Sequence, residues 1–311
     1  MPVLFSICIP AYKRPENIDR LLSSIRIQTF KNYEIIITDD SGDDSLTEVL
    51  EKYNHLPITY FRNEKPLGTP ANWNYNISLA KGDWIKIMHD DDWFANEQSL
   101  AIFADATTKN KKFICCRYFN VRPTGKKEMP DFPESSKASI LQQPMLLLAR
   151  NVIGPPSVTL IHNSIKEQYD TFMKWRVDID YYIRVLSIEK EFELIDKPLV
   201  NVGISENQVT NFCKDEPEVE LPEGLLLLHK YGISPLKNIW VYDAWWRILR
   251  NVNIRSTDQL KAYTPYKEWP EIILKMVEQQ SKLPVSLLRV GPFSKTMMTL
   301  SYLSNNKYFK R

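Results

Sequence analysis

Residues 81–94 read KGDWIKIMHDDDWF. Lys81-Gly82-Asp83 is a turn, Trp84 to Met88 is a mostly apolar run of strand length, and the run ends on His89-Asp90-Asp91-Asp92. A short apolar run bounded in this way predicts a strand covered on both faces. The same pattern occurs upstream. Val3 to Ile9 is an apolar run ending at Pro10-Ala11-Tyr12, Glu34 to Thr38 leads into Asp39-Asp40, and Ile58 to Arg62 leads into Asn63. Helical patterns separate these runs. Pro15 opens one with Ile18, Leu21, Leu22 and Ile25 at helical spacing, Ser45 to Tyr53 is a polar one, and Thr69-Pro70 reads as the cap and first position of another through Ala80. Strands alternating with helices predict an α/β fold with a mostly parallel central sheet and helices on both faces. Ligands of such sheets bind beyond the carboxyl ends of the strands. The polar residues of this chain collect there.

Farther along, Lys112 to Asn120 predicts a strand, Val121 to Lys137 a Pro-rich charged excursion, and Leu141 to Arg150 a helix. Gly154-Pro155-Pro156-Ser157 is a rigid turn before the strand Val158 to Ile161. Asp178 to Glu189 reads as a helix, and Glu191 to Asp196 and Leu199 to Ile204 as two strands. From about Asp215 only helical patterns remain, at Pro222 to Tyr231, from Ser234-Pro235 onward, and around 269–281 and 293–304. The expected organisation is therefore an α/β domain over 1–214, with halves of about 1–110 and 111–214, and a C-terminal helical extension over 215–311.

Composition bounds the function. The chain has 311 residues, 43% hydrophobic and 25% charged, which excludes wholesale disorder. Its net charge of +2 carries no footprint of nucleic-acid binding. Cys8, Cys115, Cys116 and Cys213 lack metal-ligand spacing and read as reduced core thiols of a cytoplasmic protein. The opening MPVLFSICIP has no basic segment ahead of its apolar run and predicts no signal peptide, and no apolar stretch has the length of a membrane span.

Three successive carboxylates repel one another, and a hard divalent cation relieves that repulsion. Oxygen ligands suit magnesium or manganese, so Asp90, Asp91 and Asp92 are the candidate metal residues. The plainer alternative is a solvated acidic turn. Asp39 at the end of its strand is placed to accept hydrogen bonds from a ribose or base, or else to cap its own turn. Tyr12 is placed to stack on a planar base, or else to serve as a rim aromatic.

Together, ICIPAYKRPENIDRLLSSIRIQTFKNYEIIITDDSGD and RNEKPLGTPANWNYNISLAKGDWIKIMHDDDWF resemble the donor half of family 2 glycosyltransferases, inverting enzymes of the GT-A fold. The recurring elements are a strand ending in P-x-Y-N/K-R, then QT-Y/F-x-N-x-E, a DD turn, an N-x-x-x-x-G segment, a K-G-D/E turn and the Asp-rich DxD motif. The resemblance implies a nucleotide-sugar donor, UDP-linked, with Pro10, Ala11, Tyr12 and Arg14 lining the base pocket and Asp39 on the uracil or ribose. It implies that Asn63, Gly68 and Asn72 border the nucleotide and sugar, and that Asp91 with Asp90 or Asp92 holds manganese or magnesium at the diphosphate. Relatives often read D-S-D-D where this chain has His89-Asp90-Asp91-Asp92, and His89 is read as lying beside the ligands rather than among them. WRVDIDYYIRVL is similar to the segment written E-D-x-D-x-x-x-R, with Val177 in place of the glutamate. That similarity makes Asp178 the catalytic base, with Asp180 in support. A helix N-terminal carboxylate favoured by the dipole is the alternative for Asp178. The acceptor implied is a saccharide or lipid-linked saccharide of bacterial polysaccharide biosynthesis.

Two rival functions share these features. A nucleotidyltransferase of sugar phosphates would want a glycine-rich phosphate loop after the first strand, and PAYKRPEN has no glycine. A non-catalytic nucleotide-sugar-binding scaffold would not need Asp178. Residues 279–311 hold six Lys or Arg, no Asp or Glu, and interleaved apolar residues, a pattern suited to peripheral contact with the inner face of the cytoplasmic membrane or to a packed helix with a basic rim.

Overall fold

The computed structural model describes residues 3–205, 212–264 and 268–310, the side chain of residue 310 excepted. Close contacts divide the chain into two compact units: Met1–Pro144 with Val152–Thr171 and Val177–Gln208, and Met145–Asn151 with Phe172–Arg176 and Val209–Arg311.

The first unit is built on a single mixed sheet. Its strands are β1 (Phe5–Ala11), β2 (Tyr33–Asp39), β3 (Ile58–Arg62), β4 (Trp84–Ile87), β5 (Trp93–Phe94), β6 (Phe113–Val121), β7 (Lys127–Glu128), β8 (Thr159–His162) and β9 (Glu193–Gly203). Their order is β3-β2-β1-β4-β8-β6-β9-β5, with β7 on β6. The run β3-β2-β1-β4 is parallel, and its register puts Ala11 beside Asp39 and Asp39 beside Arg62. Every residue of β1 is buried, as expected of a parallel strand covered on both faces. β8 lies antiparallel between β4 and β6, and β9 runs parallel to β6 and antiparallel to β5. Strands β4 and β5 are thus consecutive in sequence but far apart in the sheet. The segment joining them, 88–92, carries the acidic run from one half of the sheet to the other.

Helix α1 (Pro15–Arg26) begins with proline at its first position and buries Ile18, Leu21, Leu22 and Ile25, a one-sided stripe. Helices α2 (Thr47–Lys52), α3 (Ala71–Ser78), α4 (Ser99–Thr107), α5 (Glu134–Gln142) and α6 (Val177–Glu189) follow. Helix α3 packs on β1, β2 and β4, α4 on β9, and α6 on β6.

Local readings need correction in four places. Helix α3 starts at Ala71, Pro70 stands at its N-cap, and no side chain caps it, so Thr69 is not the cap. The excursion after β6 contains β7 and the start of α5. The helix expected over 141–150 ends at Gln142, because Pro144 lacks an N–H and disfavours helical backbone before it; a 3₁₀ turn, Pro144–Leu148, replaces it. The two strands expected between 191 and 204 are one, β9, continuous through Pro198 with an irregular register against β6 at Arg117.

The second unit is helical. Its main helices are Pro217–Tyr231, Ile239–Asn251, Thr257–Ala262, Glu271–Ser281 and Gly291–Ser304. Within it, the buried Glu223 carboxylate accepts the backbone N–H groups of Lys174, Trp175 and Arg176 at 2.5, 3.0 and 2.8 Å, and the Arg176 guanidinium pairs with buried Glu220. All four cysteines are free and buried, and burial pushes their thiols up. Among the described residues, no helix is long and apolar enough to cross a membrane.

Several quoted motif residues serve the frame. Glu34 Oε1 accepts from Ser6 Oγ at 2.6 Å and from the Lys81 N–H at 2.8 Å, and Ser6 Oγ accepts the Gly82 N–H at 2.8 Å. This pins the turn that aims β4. A Cβ on Gly82 would stand 2.7 Å from the Ser6 nitrogen and 2.8 Å from the Phe5 carbonyl carbon. Those are backbone atoms with little room to yield. Gly82→Ala is therefore expected to lower stability by about 1–3 kcal/mol in urea denaturation, whereas Gly291→Ala, with open space around it, leaves it nearly unchanged.

Candidate active site

The candidate site lies at the carboxyl ends of β1, β2 and β4. The acidic segment continues β4 past its last ladder pair, with the Met88 N–H donating to the Cys8 carbonyl at 2.8 Å. The three aspartates then part. Asp90 is nearly buried and faces Arg14, whose Nη1 is 3.5 Å from its Oδ1, and it accepts the Tyr12 N–H. Asp92 is buried and accepts the Gly203 N–H at 3.1 Å and a hydrogen bond from Ser157. Asp91 is half-buried, and its carbonyl accepts from Arg20 Nη2 at 3.0 Å, while the Arg20 guanidinium lies 4.0 Å over the Trp93 ring.

A ring nitrogen of His89 and a carboxylate oxygen each from Asp91 and Asp92 lie within 4.8 Å of one another. The geometry therefore brings His89 beside Asp91 and Asp92 as a further candidate ligand and pairs Asp90 with Arg14. His89 is held by its backbone N–H, which donates to Ser157 Oγ at 2.9 Å, and its ring lies 4.5 Å from Trp73. Burial pushes its imidazolium down to about 4, so the ring is neutral at pH 7, and its buried Nε2 has no hydrogen-bond partner. A neutral imidazole with an orphaned nitrogen beside two carboxylates is a donor set that fits a divalent transition metal. Burial first, and then Asp91, pushes Asp90 up to about 7 and Asp92 well above the usual carboxylate range. A cation would reverse that cost.

Beneath the segment lies Lys86, a fully buried lysine in β4 that the sequence reading passed over. Its ammonium donates to the Ser157 carbonyl and lies 5.1 Å over Phe103, and burial pushes it down to about 8 with Asp92 opposing. A lysine inside the apolar run WIKIM was a visible signal, since buried lysines are rare unless partnered. Ser157 and Gly203, read from the sequence only as parts of a turn and a strand, also hold the acidic segment. Gly203 is needed for close approach, because a Cβ there would stand 2.4 Å from the Asp91 carbonyl oxygen.

The rim over β1 and β2 is internally bonded. Pro10 and Ala11 are buried in β1, while Tyr12 is 53% exposed. Lys13 and Arg14 adopt left-handed backbone, at φ 53° and 66°, which costs energy for residues other than glycine. Ser41 Oγ accepts the Lys13 N–H at 2.6 Å and donates to Asp39 Oδ1, and Asp39 Oδ2 accepts from Tyr60 at 2.7 Å. Asp39 also accepts the Ser41 N–H at 2.8 Å, the capping geometry of a turn. Asp40 holds the next loop, accepting from Asn63 Nδ2 at 2.6 Å, the Leu67 N–H at 3.0 Å and the Gly68 N–H at 2.8 Å. Asn72 Oδ1 accepts from Asn63 at 3.1 Å, and its Nδ2 donates to the Thr38 carbonyl at 3.0 Å.

Asp178 stands in the first turn of α6, half-buried, with its Oδ1 accepting the Ile179 N–H at 2.8 Å. Asp180 is fully buried and pairs with Arg184 Nε at 3.0 Å. The Tyr118 phenol feels the charge of both acidic regions. Burial raises it to about 12, and Asp178 and then Asp92 add to the rise.

The model of "Glycosyl transferase family 2" matches residues 6–165, half of the chain. The chain belongs to this family. Among curated proteins it is 29% identical over 210 residues to the amylovoran biosynthesis glycosyltransferase AmsB of Erwinia amylovora, covering 64% of this chain and 69% of that one. It is 36% identical over 95 residues to an uncharacterized glycosyltransferase of Haemophilus influenzae, covering 30% of this chain and only about a third of that one (32%). Among solved structures, residues 1–349 of TarS from S. aureus in complex with UDP-GlcNAc superpose with a TM-score of 0.58 at 15% identity, covering 97% of this chain and 92% of that chain. The likeness establishes a GT-A-like fold.

Two outcomes are expected at this site. In chelator, Asp90 binds a proton in the folded state up to about pH 7 but in the unfolded state only to about 3.9. Its contribution to stability is present below the lower value and is lost as pH rises through the upper one. Melting in chelator should therefore weaken between those values, and Asp90→Asn should flatten the dependence. Manganese should raise Tm more at pH 8 than at pH 5.5, where protons compete, and Asp91→Asn should abolish most of that gain. An equal gain in the variant would place the ion elsewhere.

Proposed function

We propose that this chain transfers a hexosyl group from a nucleotide-sugar, UDP-linked, to a hydroxyl of a saccharide or lipid-linked saccharide in the cytoplasm, with inversion at the anomeric carbon. The observation that carries the reading is the convergence of His89, Asp91 and Asp92 at the end of β4, in a chain of this family. Support for UDP comes from the UDP-GlcNAc complex of the TarS structure, and support for a saccharide acceptor from the role in amylovoran biosynthesis named for AmsB.

His89, Asp91 and Asp92 are the residues that would hold a divalent cation, and the imidazole favours manganese over magnesium. Such a cation, when bound, supplies Lewis-acid neutralisation of the charge that develops on the departing diphosphate. Arg14 and Arg20 add positive charge on the same rim. Tyr12, the exposed aromatic after β1, stacks on the base. Pro10, Ala11, Asp39, Asn63, Gly68 and Asn72 border the donor and act through the backbone they hold, since the side chains of Asp39, Asn63 and Asn72 are committed to internal hydrogen bonds.

Asp178 is the general base. An acceptor hydroxyl is a weak nucleophile until its proton is taken. The Asp178 carboxylate accepts that proton while the acceptor oxygen forms its bond to the anomeric carbon, and the bond from that carbon to the diphosphate oxygen breaks on the opposite face. Asp180 pairs with Arg184 one turn along the helix and steadies that turn.

Asp178→Asn should keep donor binding, measured by calorimetry with a UDP-sugar, and lower transfer by about 10²–10⁴-fold. Transfer at the parent rate would remove the assignment of the base.

A further inference from the structure

Helix Gly291–Ser304 is inverted with respect to hydropathy. Its inward positions are Ser294, Met298 and Ser301, continued by Asn305, and all four are buried. The polar ones are bonded to the body of the helical unit. Trp246 Nε1 donates to Ser294 Oγ at 3.2 Å, the Tyr242 hydroxyl bonds Ser301 Oγ at 2.6 Å, and Asn305 Nδ2 donates to the Tyr242 hydroxyl at 2.8 Å. Outward stand Leu300 and Leu303, 53% and 62% exposed, with Phe293 and Met297 half-exposed along the same stripe. The chain just before the helix exposes Leu287 and Val290 as well. A surface helix of a soluble domain ordinarily buries its apolar stripe. Here the polar face does the packing and the apolar face is left outside, a disposition that marks an interaction surface.

The charge beside that face selects its partner. Arg289, Lys295 and Lys307 are exposed around the stripe, and 279–311 contains no Asp or Glu. The Lys295 ammonium lies 5.3 Å over the ring of Trp240, itself 55% exposed, so an interfacial aromatic adjoins the basic side. Exposed leucines rimmed by basic residues and tryptophan are the pattern of a helix lying in the boundary between headgroups and acyl chains. We propose that the outward face of 287–303 seats on a bilayer surface carrying anionic lipids, with Leu287, Val290, Leu300 and Leu303 inserted and Arg289, Lys295 and Lys307 at the phosphates. This surface is separate from the transfer chemistry and needs no donor.

The test is flotation of the full chain with phosphatidylcholine vesicles, with and without phosphatidylglycerol. The parent protein should float with the anionic vesicles, less so at high salt. Leu300→Gln combined with Leu303→Gln changes only exposed positions and should reduce binding by at least about tenfold. Lys295→Glu should weaken it by about fivefold or more, that being the share of a single basic residue near an anionic surface, with circular dichroism confirming unchanged folding of each variant. No flotation of the parent, or flotation indifferent to all three substitutions, overturns the proposal. It is also overturned if light scattering shows a dimer that the leucine substitutions split and vesicles do not bind, because a second copy then covers the face. Failure here leaves the transferase reading standing, and loss of transfer in Asp178→Asn says nothing of this surface.

Discussion

Adjacent like charges are the governing constraint of this molecule. Two unit charges about 5 Å apart in a half-buried setting repel by on the order of 3 kcal/mol, more than one ordinary hydrogen bond returns. Three aspartates in succession at the end of a buried strand therefore demand separate answers. Asp90 turns to Arg14 and the Tyr12 amide, Asp92 turns inward to the Gly203 amide and Ser157 above Lys86, and Asp91 stays with His89. The architecture follows from satisfying these demands together. The parallel register of β1 and β4 supplies the loop with Arg14, the antiparallel return through β8 supplies Ser157, and the long parallel pair β6–β9 brings Gly203 against the Asp91 carbonyl.

Motif residues divide between scaffold and rim. Gln28 is wholly buried, donates to the carbonyls of Ser24 and Asn96, and accepts the Leu100 N–H at 2.9 Å, joining α1 to α4. Glu34 pins the turn before β4, and Asp40 fixes the loop through Gly68. These side chains are spent on the frame. At the rim Tyr12 is exposed, and Asp91 and Asp178 are half-buried.

The parallel half of the sheet was legible because β1, β2 and β4 are largely buried runs closed by polar residues, a pattern read directly from the sequence, while β3 is a half-exposed edge strand recognised by its flanks. Less of the second half could be read. β9 continues through Pro198, which looks like a break in a linear reading, and short β5 and β7 carry too few residues to show a period. At the site, the types of residue were legible and their partners were not. Whether Asp90 or His89 joins the cluster depends on which way successive side chains leave a turn, and that is set by contacts with Arg14 and Ser157, distant in sequence. Lys86 was missed although a charge inside an apolar strand is a local signal. The polar inward face of 294–305 was hidden because its partners, Tyr242 and Trp246, lie on another helix.

The buried thiols turn the chain into its own conformational reporter. Cys8, Cys115 and Cys116 lie in β1 and β6 of the sheet unit, and Cys213 lies in the helical one. Shielded and held protonated, none offers the thiolate that alkylating reagents require. Modification must wait for an opening of the surrounding structure, so the rates at which the sheet and helical thiols are labelled give separate opening free energies for the two units.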